Sequence, residues 1–132
     1  MIRFDRATKR YPNGREALSS ASFEIHSGEM VFLTGRSGAG KSTILKLIAL
    51  LERPTRGLVI VNTHNTSSLP ARKIPAFRRE LGIVFQDHRL LPERTIFDNV
   101  ALPLHAAHAP LREIDRRARA ALDQVGLLDR AS

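Results

Sequence analysis

Residues 32–51 read FLTGRSGAGKSTILKLIALL, and their middle decides what the chain must fold around. Gly35, Arg36, Ser37, Gly38, Ala39, Gly40, Lys41 and Ser42 fit the pattern G-x-x-x-x-G-K-[ST] without a mismatch. These residue types suit one task. Glycines let the backbone turn sharply and bring successive N–H groups toward one point, where phosphate oxygens can accept from them. A helix starting near Lys41 aims its positive end at the same spot. The Lys41 ammonium can reach the β- and γ-phosphates as a flexible point charge, and the Ser42 hydroxyl can coordinate Mg2+. Without a ligand, the same glycines would read as a plain strand-to-helix turn.

The flanks give the loop its setting. MVFLT (residues 30–34) is a short, continuous apolar run of the kind expected in a strand buried on both faces. KSTILKLIALL is apolar nearly all round, as a buried helix would be. Upstream, IRFDRATKRY alternates apolar and polar residues, and Asn13–Gly14 signals a hairpin turn. Residues 22–25 read as a second strand, followed by a turn at Ser27–Gly28. Downstream come a turn at residues 53–57, a further buried strand in LVIVN, a short helix in PAFRREL and another strand in GIVFQ (residues 82–86). The stretch from Asp98 to His105 is expected to be partly helical. The last helix is the clearest. Apolar residues at 111, 114, 118, 121, 122 and 125 keep helical spacing, Pro110 suits the first turn, and Gly126 suits the stop.

The totals set bounds. A chain of 132 residues is one domain or a piece of one, since domains typically run to about 100–150 residues. There is no cysteine, hence no disulfide and no thiolate metal site. The N-terminus has no apolar core like that of a secretory signal. No apolar run approaches the ~20 residues of a membrane helix, so membrane contact is expected through a partner. The net charge of +8 raises the question of nucleic acid. However, the arginines are dispersed, there is one tyrosine and no tryptophan, and no aromatic spacing suggests a base-stacking surface. No nucleic acid is expected, and a solvated basic surface, able to face acidic headgroups, is the simpler reading.

The order of motifs resembles one family over the whole chain. Tyr11, the SGEM turn, the phosphate loop, LLERPTRG, GIVFQD, DNVALPL and a helix ending ALDQVGLLDRA follow one another as in ATP-binding cassette (ABC) transporter ATPases. The wording is most similar to the branch that serves bacterial cell division. The implied fold is α/β, a P-loop NTPase of the ABC ATPase type, with an N-terminal antiparallel β subdomain and part of the parallel-sheet core. Residues 1–132 would form a partial nucleotide-binding domain.

The resemblance also implies roles. Tyr11 would stack on adenine, residues 35–42 would hold the phosphates of ATP, and Thr43 would touch the α-phosphate. Ser42 and Gln86 would meet Mg2+, with Gln86, the Q-loop residue, also positioning the attacking water. The region from Asp87 to Asn99, including Leu90, Leu91 and Phe97, would receive a membrane subunit of FtsX type. The full-length parent would act as a homodimer on the cytoplasmic face of the inner membrane. One departure stands in LIALLERP, where relatives usually carry a glycine near Leu50.

The same resemblance predicts an LSGGQ signature, an Asp–Glu strand and a switch histidine beyond Ser132. The chain is therefore expected to be truncated before them, to bind MgATP and to hydrolyse it negligibly alone, its catalytic glutamate being absent. Asp87 is the only strand-plus-acid substitute, and it lacks a following glutamate. His64, His88, His105 and His108 show no acid pairing at metal or triad spacing. Alternatives are the ATPase subunit of a lipoprotein or macrolide-type exporter, a stand-alone P-loop kinase using Asp87, and a non-enzymatic nucleotide-binding fragment.

Overall fold

Two long strands open the chain, β1 (Ile2–Arg10) and β2 (Glu16–Ile25), joined through the expected Asn13–Gly14 turn. The turn is closed by hydrogen bonds from the Tyr11 N–H to the Arg15 carbonyl and from the Gly14 N–H to the Tyr11 carbonyl, both 2.9 Å. This computed structural model describes residues 1–131, which divide into a unit Met1–Ile83 and a second beginning at Val84.

In the first unit β3 (Arg56–Val61) and β4 (His64–Asn65) complete an antiparallel sheet of order β2-β1-β3-β4. The pairing sets Phe4 opposite both Phe23 and Val59. On β1 the buried residues are Phe4 and Ala7, an odd spacing that plain alternation forbids. The register shifts between Phe4 and Ala7 against β2, and Arg6 there has φ 46°. That bulge inserts the extra residue that returns Ala7 to the core side. Against this sheet the first unit gathers α1 (Lys41–Ile48) and α2 (Ile74–Arg79). Phe4, Leu47, Leu50, Val59, Val61 and Phe77 form the centre of its core. Each such side chain contributes about 1.5–3 kcal/mol by leaving water.

Several expectations change here. Residues 30–34 were expected as a strand buried on both faces and residues 82–86 as a further strand, yet neither belongs to the sheet. Met30 is 85% and Val84 95% exposed. An apolar run becomes a strand only where a neighbour exchanges ladder hydrogen bonds with it, and no described segment does so for either run. The strand of LVIVN is buried on one face only, with Val59 and Val61 inside and Leu58 outside. Likewise α1 buries one face through Thr43 and Leu47 and leaves Leu45 exposed.

Helix α1 ends in a way the sequence hinted at. Leu50 adopts φ 51° where a glycine is the usual choice, and it is only 3% exposed. The Leu51 N–H donates to the Lys46 carbonyl at 2.9 Å and the Leu50 N–H to the Leu47 carbonyl at 3.2 Å. This is the Schellman pattern with a leucine in the left-handed position.

The second unit pairs α3 (Ile96–Ala106) with α4 (Leu111–Gln124) through Ala101, Ile114 and Ala118. Thr95 caps α3 by accepting from the Asp98 N–H at 3.0 Å. On α4 the predicted face is buried at Ile114, Ala118 and Leu122, whereas Leu111, Ala121 and Val125 are exposed. No helix is long and apolar enough to cross a membrane among the described residues.

Candidate functional site

The phosphate loop is shaped by three glycines with positive φ: Gly35 at 145°, Gly38 at 79° and Gly40 at 93°. Gly40 is the most constrained. A Cβ there would lie 2.4 Å from the Ala17 carbonyl oxygen, so β2 passes directly against the cap of α1. The Arg15 guanidinium donates to the Gly38 carbonyl at 3.3 Å and ties the hairpin to the loop. The N–H groups of Gly38, Gly40, Lys41, Ser42 and Thr43 have no hydrogen-bond partner among the described residues. Three of these are first-turn donors that no helix can satisfy internally. They are grouped at a helix N-terminus, where the backbone dipoles favour negative charge.

Lys41 closes the loop on itself. Its ammonium donates to the Gly35 carbonyl at 2.6 Å and to the Arg36 carbonyl at 2.8 Å. The Ser42 side chain is exposed, with no hydrogen-bond partner among the described residues. No group of three His, Cys, Asp or Glu side chains among the described residues could hold a metal ion. Mg2+ usually keeps several waters and phosphate oxygens in its shell, and the exposed Ser42 hydroxyl could supply it with a protein ligand beside the loop. Grouped donors, an ammonium folded over the loop and an exposed hydroxyl fit a magnesium-bound polyphosphate.

Thr43 and Tyr11 meet beside the loop. Thr43 is buried, and its hydroxyl lies 3.4 Å from the Tyr11 phenol. The phenol also donates to Glu52 Oε1 at 3.2 Å. Glu52 accepts from Lys46 at 3.2 Å through the same oxygen, and the Lys9 ammonium stands 3.2 Å from its Oε2. Oε2 is covered and has no bond of good hydrogen-bond geometry, so Lys9 acts on it chiefly as a counter-charge. Burial pushes the Glu52 carboxyl up, but the hydrogen bonds from Lys46 and Tyr11, together with the Lys9 charge, outweigh it and hold the group below the usual glutamate value. Sequence reading missed Glu52 and Lys9. Tyr11 and Glu52 are 41 positions apart, and no short-range pattern links them.

Gln86 belongs to the second unit, on an exposed turn with Asp87, whereas Tyr11 and residues 35–43 lie in the first. Asp87 is exposed and paired with Arg89 at 3.4 Å, whose guanidinium stacks over Phe85. Leu90 and Leu91 are exposed, while Phe97 is partly buried against the α3–α4 core. Asn99 organises this loop. Its Oδ1 accepts from the Leu91 N–H at 2.8 Å, and its Nδ2 donates to the carbonyls of Leu91 at 3.0 Å and Thr95 at 2.9 Å. The histidine reading needs one correction. His64 Nε2 lies 3.2 Å from Glu80 Oε1, a pair brought together by β4 and α2, with the ring edge-on to Phe77.

The ABC transporter family model matches residues 18–132. The chain belongs to the ABC transporter family. This ABC chain is 53% identical over 131 residues to the cell division ATP-binding protein FtsE of Escherichia coli K12, covering 99% of itself and 59% of that protein. It is 42% identical to the FtsE of Bacillus subtilis, with 99% of the chain and 58% of the relative covered. The methionine import ATP-binding protein MetN 1 of Burkholderia lata is 45% identical over 130 residues, covering 96% of the chain and 38% of the relative. Among solved structures, the ATP-binding cassette MJ0796 in a dimeric post-hydrolysis state, bound to ADP and Pi, superposes with a TM-score of 0.84 at 35% identity. That match covers 93% of this chain and 56% of the other. The α/β cassette fold is thereby shown, and the chain spans less than two thirds of the length of these relatives.

Proposed function

We propose that this chain is the nucleotide-binding front part of an ATP-binding subunit that serves bacterial cell division. Residues 35–43 hold the phosphates of MgATP, Tyr11 stacks on the adenine, and Ser42 with Gln86 meets the Mg2+. When bound, that ion draws charge from the phosphate oxygens. Lys41 moves its ammonium from the loop carbonyls to the outer phosphates, and the orphan N–H groups of Gly38, Gly40, Lys41, Ser42 and Thr43 receive the rest. The segment from Asp87 to Asn99 receives a membrane subunit of FtsX type, at the cytoplasmic face of the inner membrane, in a parent that works as a homodimer. These 132 residues bind MgATP and do not turn it over alone.

The observation that carries the cell-division reading is the 53% identity to FtsE over the whole chain, against 45% to a methionine importer. The methionine-import ATPase is the second reading that this comparison supports. Titration calorimetry with MgATP tests the site. Lys41→Ala should weaken binding by on the order of 100-fold, since a charged hydrogen-bonding group contributes roughly 1.5–3 kcal/mol. Equal affinity in wild type and variant would refute the phosphate-loop assignment. Phosphate release by the pure chain that vanishes in Lys41→Ala would refute its inactivity. Co-purification with a methionine-import membrane subunit, and not with an FtsX-type one, would move the chain to the second reading.

A further inference from the structure

Glu52 lies just beyond the end of α1, yet its carboxylate sits on the residue that faces the start of that helix. The Tyr11 phenol lies between the Thr43 hydroxyl at 3.4 Å and Glu52 Oε1 at 3.2 Å. Lys46 donates to the same Glu52 oxygen at 3.2 Å, and Lys9 flanks the other at 3.2 Å. The Lys9 ammonium also stands 5.2 Å from the centroid of the Tyr11 ring. The carboxylate is mostly covered, with its side chain 21% exposed, so its three partners are not easily replaced by water.

A tyrosine at the end of a strand, on the surface side of a turn, would otherwise sample several rotamers. Here its hydroxyl is fixed at one end by a carboxylate. That carboxylate is itself fixed by two lysines, one from β1 and one from α1. We propose that Glu52 is a positioning residue for nucleotide recognition. It holds the Tyr11 ring in one orientation relative to the phosphate-loop helix, so that a base stacks without first ordering the ring. Pre-ordering of this kind raises affinity by removing an entropic loss at binding. Glu52 touches no nucleotide in this arrangement. Lys9 and Lys46 keep it ionised and in place, and Thr43 links the phenol to the first turn of α1. The inference rests on the proposed binding of adenine at Tyr11.

Two probes separate the base from the phosphates: ATP, which has both, and inorganic tripolyphosphate, which has only the latter. Tyr11 is the only tyrosine, and tryptophan is absent, so intrinsic emission reports on this ring alone. A phenol that donates to a carboxylate emits more weakly than one in water. Glu52→Ala should therefore brighten Tyr11. It should also weaken MgATP binding by about 5-fold, with tripolyphosphate affinity within about 2-fold of wild type, the size expected from one hydrogen bond. Tyr11→Phe, which keeps the ring and removes the tether, should lose ATP selectivity to a similar degree. Adding Glu52→Ala to it should then change selectivity no further.

Equal losses for both probes in Glu52→Ala and Tyr11→Phe would overturn the inference and leave a purely structural glutamate. Additive losses in the double variant would overturn it as well. Retained tripolyphosphate binding shows that the variants are folded, and Tyr11→Phe decides the matter should Glu52→Ala not fold. A wild type that binds neither probe in a Lys41-dependent way refutes the phosphate-loop reading itself, and this inference with it.

Discussion

Helix α1 begins and ends on a left-handed residue, and the two could hardly differ more. At its start Gly40 has φ 93° and no room for a side chain, because the Ala17 carbonyl would meet a Cβ at 2.4 Å. At its end Leu50 has φ 51° and a side chain that the core surrounds. The first position needs the absence of atoms, so that β2 and the loop can crowd together and leave backbone donors grouped at one point. The second tolerates an unfavourable backbone because a buried leucine returns more than the strain takes away. Positive φ is thus accepted for opposite reasons: at one end to shape a site, at the other to fill a core.

Substitution at each end tests that contrast. Gly40→Ala should destabilise the chain by on the order of 4 kcal/mol in urea unfolding, since it adds strain to a clash with backbone that cannot move aside. A loss below about 1 kcal/mol would show that the β2 approach is loose. Leu50→Ala should cost about 3 kcal/mol for the cavity it leaves. Leu50→Gly removes still more side chain, yet it should be milder than Leu50→Ala by about 1 kcal/mol, because glycine relieves the left-handed backbone. If Leu50→Gly is the worse variant, the backbone at that end is unstrained and the contrast fails.

Smaller effects come from the polar groups around these ends and in the second unit. Asn99→Ala should remove about 1–2 kcal/mol from local opening of residues 91–95, read as faster exchange of the Leu91 amide, while α1 is untouched. The acid limb tests Glu52. Its folded carboxyl titrates below the usual glutamate value, so its contribution is fully present above the unfolded pKa and is lost as pH falls through the lowered folded one. Glu52→Gln should cost about 1 kcal/mol at neutral pH. The gap to wild type should close as the solution is acidified below the normal glutamate range. A gap that stays constant with pH would mean that the charge on Glu52 contributes nothing.

Much of the site was legible because it is local. Eight consecutive residues, Gly35 to Ser42, carry the loop, and three of their glycines take up the positive φ that the pattern implies. Helix α4 was equally readable, because amphipathic spacing and its flanking Pro110 and Gly126 act within one element. The strands expected at residues 30–34 and 82–86 were not readable in the same way. Their apolar runs are genuine, but a strand is a relation between segments, and no described segment lies in register with either. The Tyr11–Glu52 and His64–Glu80 contacts escaped for the same reason, since each joins residues that only the packing of a helix end against the sheet region brings close. Leu50 was half legible. Its oddness could be seen, but not that its side chain would fill the core.

The closed posture of Lys41 has a consequence for energetics. Its ammonium already makes two short hydrogen bonds to loop carbonyls. An incoming polyphosphate therefore takes part in an exchange, in which neutral acceptors are traded for anionic ones that bind the same donor more strongly. The loop carbonyls then lose their partner to water, so the net gain is the difference between two engaged states of one lysine. Binding driven by such a difference should be modest in heat and steeply sensitive to salt, because only its anionic side is screened by added ions.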